Sequence, residues 1–204
     1  MNIPKRPLAV GIALSAIVFL GACAAEPDTN PQVGAEDATT PSAVAQNASE
    51  AEPAANPTAT LAQLPLTNAK TGESFTLADY SGQTVLVKPM ATWCGKCKAN
   101  LQAAREATTE LNSDNLVVVA LSVEDSLENA KLAQYASDEG FDFVFAVATP
   151  EMTRALDARF GQTALNPSIG SRFIIAPNGE ISELTTGKVD PASLVTTLKS
   201  VSDG

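Results

Sequence analysis

The sequence contains no histidine among its 204 residues. This absence excludes catalysis by Ser-His-Asp or Cys-His arrangements, and it excludes metal and haem sites with histidine ligands. Basic residues are also scarce, because 13 Lys and Arg face 23 Asp and Glu, for a net charge of −10. No basic stripe is present to bind phosphates, so a nucleic-acid partner is not expected.

Cysteine is rare too, and the three cysteines fall into two groups. Cys94 and Cys97 follow an apolar run and are two residues apart, whereas Cys23 lies far upstream. Two sulfurs at this spacing can close a disulfide at a helix start, where the helix N-terminus stabilises a thiolate on the first sulfur. Since no second CxxC completes a zinc site, no metal is expected. The pair predicts redox chemistry, and a structural disulfide is the alternative.

The N-terminal segment has the pattern of a secretory signal. Lys5 and Arg6 precede an apolar stretch over residues 8–20, which is short for a bilayer span of roughly 20 residues. Its Leu-Gly-Ala-Cys ending resembles the lipobox of bacterial lipoproteins. Residues 1–22 are therefore predicted to be a lipoprotein signal peptide, with Cys23 lipidated and the protein on the extracytoplasmic side of a membrane, periplasm-facing or at the cell surface. A short membrane anchor and a signal cut elsewhere are the alternatives.

Residues 23–60 are rich in Ala, Pro and Thr and have almost no large apolar side chains. Such a stretch cannot bury enough apolar surface to offset the entropy of ordering, so a disordered acidic tether is predicted. Flexible-coil scaling predicts that this tether keeps the following domain roughly 30–40 Å from the membrane. Residues 61–204 have the size of one domain.

Strand-like and helix-like segments alternate along this domain. Residues 64–76 predict a hairpin, and apolar runs predict further strands at 84–87, 116–122, 141–147 and 172–176, the last paired with 181–186. Helices are predicted at 98–111, 126–139, from 150 to 160 and after Asp190-Pro191. This order predicts an α/β domain whose parallel sheet ends in an antiparallel hairpin.

The motif WCGKC at residues 93–97, the strand before it, the helix after it and the later strand–Asn-Gly–strand hairpin together resemble the thioredoxin fold. With the lipobox and tether, residues 65–200 resemble the TlpA/ResA branch of membrane-anchored thiol–disulfide oxidoreductases. The resemblance implies a central mixed sheet flanked by helices, with an N-terminal β-hairpin and an inserted strand–helix. It also implies an oxidoreductase without a cofactor, most commonly a reductase that receives electrons from a membrane donor and acts on thiol/disulfide partners such as apocytochrome c or other exported proteins. The opposite direction, net donation of the disulfide, is the alternative.

The resemblance gives each residue of the motif a role. Cys94 is expected to be the exposed nucleophile, and Cys97 the buried thiol that resolves the mixed disulfide and thereby leaves a Cys94–Cys97 disulfide. Trp93 is expected to shield the pair and to form part of a docking surface. Lys96 stands where proline is common, and its charge is expected to favour the Cys94 thiolate; a merely solvated lysine is the alternative.

Three positions depart from the family pattern. Lys88 stands where thioredoxins often have a buried carboxylate, and Asn100 where TlpA-type proteins often have a glutamate, so the usual proton acceptors are missing. Lys88 is expected to reach solvent past a strand edge. If it were buried instead, it would lower the pKa of Cys94 and make the pair a better oxidant. Pro89 cannot donate a ladder hydrogen bond, which predicts that the strand ends or bulges there.

The family also has a cis-proline that faces the cysteines just before the fourth strand. Counting back from Asn178-Gly179 puts this slot at Gly170, whereas the nearest proline is Pro167. Pro167 is preferred as the cis-proline, and Gly170 in the slot is the alternative.

Two other functions remain open. A peroxiredoxin-like peroxidase on the same fold is one, because Pro89, Thr92 and Cys94 resemble a proline–threonine–cysteine peroxide pocket and Arg172 opens the fourth strand. A non-enzymatic Cu(I)-binding chaperone that uses both thiolates is the other, although the chain lacks a methionine cluster.

Overall fold

The computed structural model describes residues 61–203, and the predictions for the signal peptide, Cys23 and the tether lie outside them. No helix within the described range is long and apolar enough to span a bilayer.

The domain consists of a small hairpin and a four-stranded mixed sheet with helices on both faces. The hairpin strands are β1 (Leu66–Thr67) and β2 (Ser74–Phe75), and the sheet strands are β3 (Thr84–Met90), β4 (Leu116–Ser122), β5 (Val144–Val147) and β6 (Phe173–Ile175). The sheet order is β5-β4-β3-β6, with β3, β4 and β5 parallel and β6 antiparallel to β3. The helices are α1 (Gly95–Leu111), α2 (Asn129–Asp138), α3 (Pro150–Phe160) and α4 (Pro191–Ser202). The predicted fold class is confirmed.

The helix starts follow from residues that cap free backbone amides. The Thr149 hydroxyl accepts a hydrogen bond from the Met152 amide at the start of α3, and the Asp190 carboxylate accepts one from the Ser193 amide at the start of α4. A proline follows each cap, at the first helical position, where its missing N–H costs nothing.

Strand β3 is buried along its whole length and leads directly to the cysteine pair. Val85 and Val87 pack into one apolar cluster, Leu86 packs against α1 and α4 on the opposite face, and Met90 packs against Cys97. Because β3 lies between β4 and β6, its carboxyl end places the pair at the middle of the sheet edge.

One strand prediction was wrong, and another is confirmed only in part. β3 does not end or bulge at Pro89 but continues through it to Met90. The proline is tolerated because β3 pairs with β6 only as far as Val87, so no β6 carbonyl stands beyond that pair to require the missing N–H. Residues 181–186 pair antiparallel with the segment around β6, as predicted, but through two isolated bridges, Ile175 with Ile181 and Arg172 with Thr185, instead of a continuous strand.

Candidate active site

The two cysteines of the WCGKC motif form a disulfide at the N-terminus of α1, with their Cα atoms 5.2 Å apart. Cys94 is the N-cap, and its sulfur accepts a hydrogen bond from the Cys97 amide at 3.1 Å. Cys97 is fully buried, and only 5 % of Cys94 is exposed. The expectation of an exposed Cys94 is therefore wrong for this disulfide state, because the loop around Pro167 packs over both sulfurs.

The carbonyl group of Pro167 faces the cysteine pair. Its oxygen lies 3.2 Å from the Cys97 sulfur and 3.7 Å from the Cys94 sulfur. The residue opens a short 3-10 helix, Pro167–Ile169, which Gly170 caps. The cis form of its peptide bond stays a prediction.

Lys88 is buried and does not reach solvent, contrary to expectation. The side chain has no exposed surface, and its Nζ donates a hydrogen bond to the Ser171 carbonyl oxygen at 3.1 Å. Burial and, to a smaller extent, the positive charge of Arg172 together lower the pKa of Lys88 to about 8. The sequence suggested a strand edge, but β3 is an inner strand and the Nζ of Lys88 bonds to Ser171 in the loop before β6.

Asn100 replaces the usual glutamate and serves as a structural anchor one turn after Cys97. Its side-chain amide donates to the Gly187 carbonyl oxygen at 3.1 Å, and its side-chain oxygen accepts from the Val189 amide at 3.0 Å. The Gly187 amide in turn donates to the Ile169 carbonyl oxygen at 2.9 Å. These bonds tie α1 to the loop that carries the Pro167 carbonyl, so Asn100 holds two walls of the site together.

Gly170 is required by its surroundings and by its backbone. A Cβ there would lie 2.6 Å from the Gly187 carbonyl oxygen and 2.8 Å from the Asn100 amide nitrogen, and its φ is +79°. We expect Gly170→Ala to lower the free energy of unfolding by about 2–3 kcal/mol, since left-handed strain adds to the steric clash. Gly179→Ala is the matched control, because its φ is +83° and no atom lies within 4 Å of its Cβ. Urea unfolding measures both variants, and equal losses would contradict the clash.

Glu124 is a site residue that the sequence analysis missed. Its carboxylate accepts hydrogen bonds from the Thr92 amide at 2.6 Å and from the Thr92 hydroxyl at 3.2 Å. The Ser122 hydroxyl donates to it as well, at 3.3 Å. Glu124 thereby holds the turn at Thr92, which lies two residues before Cys94 and leads into the motif. The rule that parallel strands present functional groups at their carboxyl ends points to this position, two residues after β4 ends at Ser122.

The remaining predicted residues lie at different depths. Trp93 is 68 % exposed beside the pair, which fits a docking role, and Lys96 is exposed on the first turn of α1. Of the residues that resemble a peroxide pocket, Pro89 is buried within β3, and Arg172 lines a cavity with Lys188 at the start of α4.

Comparison with known proteins agrees with this geometry. The Redoxin family model matches residues 43–201. The chain is 27 % identical over 111 residues to the thiol-disulfide oxidoreductase ResA of Oceanobacillus iheyensis, an alignment that spans 54 % of this chain and 53 % of that relative. The chain thus covers about half the length of the curated relative it matches.

Solved structures show the same fold. A thiol:disulfide interchange protein of the thioredoxin family from Chlorobium tepidum matches with a TM-score of 0.56 and 20 % identity, over 68 % of this chain and 92 % of that one. The bacterioferritin comigratory protein of Xanthomonas campestris, described for alkyl peroxide reduction, matches with a TM-score of 0.54 and 18 % identity, over 71 % and 95 %. With its thioredoxin fold and its CxxC pair at disulfide distance, the chain belongs to the Redoxin family of thioredoxin-like oxidoreductases.

Proposed function

We propose that this protein is an exported, lipid-anchored thiol–disulfide oxidoreductase that reduces disulfides of partner proteins with the Cys94–Cys97 pair. The observation that carries the proposal is the asymmetric setting of the two sulfurs. Cys94 caps α1 and receives the Cys97 amide, whereas Cys97 is fully buried against the Pro167 carbonyl oxygen.

This asymmetry assigns the two steps of exchange. The partial positive charge of the helix N-terminus favours a thiolate on Cys94, which attacks one sulfur of the partner's disulfide. The partner's S–S bond breaks, its other sulfur leaves as a thiolate and takes up a proton, and a mixed disulfide to Cys94 forms. The negative end of the Pro167 carbonyl dipole disfavours a thiolate on Cys97, so Cys97 holds its proton until that stage.

The second step returns the pair to the disulfide state. Cys97 loses its proton and attacks the Cys94 sulfur, and the partner's remaining sulfur leaves as a thiolate and is protonated. Two electrons have passed from the Cys94 and Cys97 thiols to the partner, which now carries two thiols. No cofactor is needed for this balance, and a membrane electron donor is proposed to reduce the pair again.

Lys88 is proposed to tune this exchange. It lies on the same face of β3 as Met90, which packs against Cys97, and it bonds to the loop that carries Pro167. A buried cation on this side of the sheet favours the thiolate forms of the reduced pair and so raises its reduction potential. With a pKa of about 8, the ammonium group is also suited to give and take the proton that the absent carboxylates would handle.

Export and anchoring rest on the N-terminal sequence alone. The apolar stretch over residues 8–20 and the lipobox-like ending before Cys23 support a lipid anchor outside the cytoplasm, in an oxidising compartment where disulfide partners occur. Exported thiol/disulfide proteins, apocytochrome c among them, are the proposed partners. The curated relative named as an oxidoreductase supports this class.

Redox equilibration with glutathione, followed by mass spectrometry of the pair, tests the function and its direction. We expect a reversible two-electron couple, and reduction of a model disulfide with one protein disulfide formed for each disulfide consumed. A potential nearer to thioredoxin, about −270 mV, than to the strong oxidant DsbA, about −120 mV, supports a reductase. A potential at the oxidant end would overturn the reductase direction.

The same preparation distinguishes the proposed oxidoreductase from a peroxidase. The peroxidase is the second candidate function because the chain shares its fold with the alkyl-peroxide-reducing protein. The reduced protein is mixed with an alkyl hydroperoxide and, separately, with the model disulfide. We expect the disulfide to be consumed much faster. Faster consumption of the hydroperoxide, lost in Cys94→Ser, would replace the oxidoreductase with a peroxidase.

A further inference from the structure

A groove beside the cysteine pair is not used by the exchange chemistry above. It measures about 520 Å³ and lies at the carboxyl ends of β4 and β5, where residues 123–127 and 147–153 form its walls. We call it the acidic groove. Ligands of open α/β sheets bind in crevices of this kind, outside the carboxyl ends of the strands.

The acidic groove is physically continuous with the redox site. Its wall residue Glu124 holds the Thr92 amide at 2.6 Å, and Thr92 is two residues from Cys94. Two residues of chain span at most about 7 Å. Leu127 and Val147, which also line the groove, pack against the apolar cluster that contains Cys94. A segment held at Cys94 can therefore continue into the groove.

The lining combines apolar side chains with negative charge. Leu127, Val147 and Pro150 supply apolar surface, Glu124 and Asp125 supply the charge, and no Lys or Arg lines the groove. Asp125 is exposed and takes part in none of the ion pairs among residues 61–203. An acidic wall of this kind attracts cations and repels anions, most strongly at low ionic strength.

We infer that the acidic groove docks an extended segment of the disulfide partner that carries Lys or Arg two to four residues from the reacting cysteine. The inference rests on the proposed exchange function, because it names the class of partner that this site prefers. Charge complementarity selects the occupant, and the short path from Thr92 to Cys94 sets the spacing. Asp125, with no competing cation, is the main specificity residue, while Glu124 keeps its role of holding the Thr92 turn.

The test compares two peptides that differ only beside their cysteine. Each carries that cysteine as a mixed disulfide with 2-mercaptoethanol, with two lysines or two glutamates at the third and fourth positions after it. The reduced protein is mixed with each peptide, and the fluorescence of Trp93, the single tryptophan, reports the reaction. Each rate is divided by the rate at which dithiothreitol, an uncharged reductant, reduces the same peptide. This division corrects for differences in the intrinsic reactivity of the two peptide disulfides.

We expect the basic peptide to react on the order of tenfold faster at low salt, with the ratio approaching one near 1 M salt. Asp125→Lys is expected to reduce the ratio at least threefold. Asp114→Lys is the matched control, because Asp114 is exposed, precedes β4 at the opposite edge of the sheet and changes the net charge equally. It is expected to keep most of the ratio.

Each outcome supports the inference or overturns it. If both variants lower the ratio equally, the overall net charge steers the peptides and the groove does not. A wild-type ratio near one overturns the inference as well. Reduction of the neutral bis(2-hydroxyethyl) disulfide tests the proposed function separately. If this disulfide is reduced while the peptides show no preference, only the docking inference is overturned. If it is not reduced, the exchange function itself is overturned.

Discussion

Cys97→Ser is expected to turn the protein into a trap that stays linked to its partners, while Cys94→Ser abolishes exchange. Cys94 is the sulfur at the helix N-terminus, and a serine hydroxyl there is neither ionised nor able to form a disulfide. Without the Cys97 thiol, the mixed disulfide on Cys94 has no internal thiol to resolve it. Cys97 is fully buried, whereas Cys94 keeps 5 % of its surface exposed, so the reverse trap on Cys97 is not expected.

The measurement uses intact cells that produce the full chain with each substitution. Free thiols are blocked with acid and alkylating agent, and covalent adducts are separated without reductant and identified by mass spectrometry. The double variant with both serines is the control for unrelated cross-links. Partner adducts on Cys97→Ser that vanish with reductant are the expected result. Equal adducts on both single variants would show that the assigned order of the two thiols is wrong.

Lys88→Met is expected to raise the free energy of unfolding at pH 7 by about 2 kcal/mol. Burial lowers the pKa of Lys88 from 10.5 to about 8, and a difference of this size costs the folded state about 3 kcal/mol when the lysine is charged. Methionine removes this cost but leaves the Ser171 carbonyl oxygen without its donor, and the lost hydrogen bond destabilises the folded state by about 1 kcal/mol. A buried charge replaced by an apolar side chain is often stabilising for this reason.

The sign of the pH dependence follows from proton binding. Between pH 8 and 10.5 the unfolded chain binds the lysine proton more strongly than the folded protein does, so the wild type gains stability as pH rises through this range. Below pH 8 both states are protonated and the cost is constant. The advantage of Lys88→Met is therefore greatest at pH 7 and shrinks by pH 10.

Urea unfolding at pH 7, 8, 9 and 10 measures this difference. Lys199→Met, at an exposed lysine in the last turn of α4, is the control and is expected to change stability by a few tenths of a kcal/mol. The reduction potential gives an independent readout of the tuning role. Loss of the buried cation is expected to lower it by about 30 mV for each 1.4 kcal/mol of lost thiolate stabilisation. A destabilised Lys88→Met with an unchanged potential would assign the lysine a purely structural role.

Most of the fold could be predicted from local sequence. The strand at Leu116–Ser122 and the helix at Pro150–Phe160 match their predicted bounds, because an apolar run and a Thr-Pro start define them without help from distant residues. Segment ends were less certain where capping was unusual. The first helix begins at Gly95 instead of residue 98, since a cysteine sulfur serves as its cap.

The errors arose where a distant element decides the environment of a residue. Lys88 is of a residue type that usually lies at the surface, yet its side chain bonds to the Ser171 loop, which lies 83 residues away along the chain. Proline usually ends a strand, yet β3 continues through Pro89 because its pairing with β6 ends at Val87. Glu124 could not be linked to Thr92 until parallel pairing of β3 and β4 brought their carboxyl ends together.

The sequence by itself determined that the chemistry of this protein rests on a pair of thiols, because two cysteines at helix-turn spacing follow a buried strand in a chain without histidine. It left disulfide exchange, peroxide reduction and Cu(I) binding open as uses of that pair. Only the tertiary structure decided the surroundings of that chemistry. Chain folding brings a buried lysine, the Pro167 carbonyl and the acidic groove to the pair from separate segments. The proposed tuning of the thiolates and the proposed choice of partner both depend on such long-range contacts, since electrostatic effects are set by distance and burial rather than by sequence spacing.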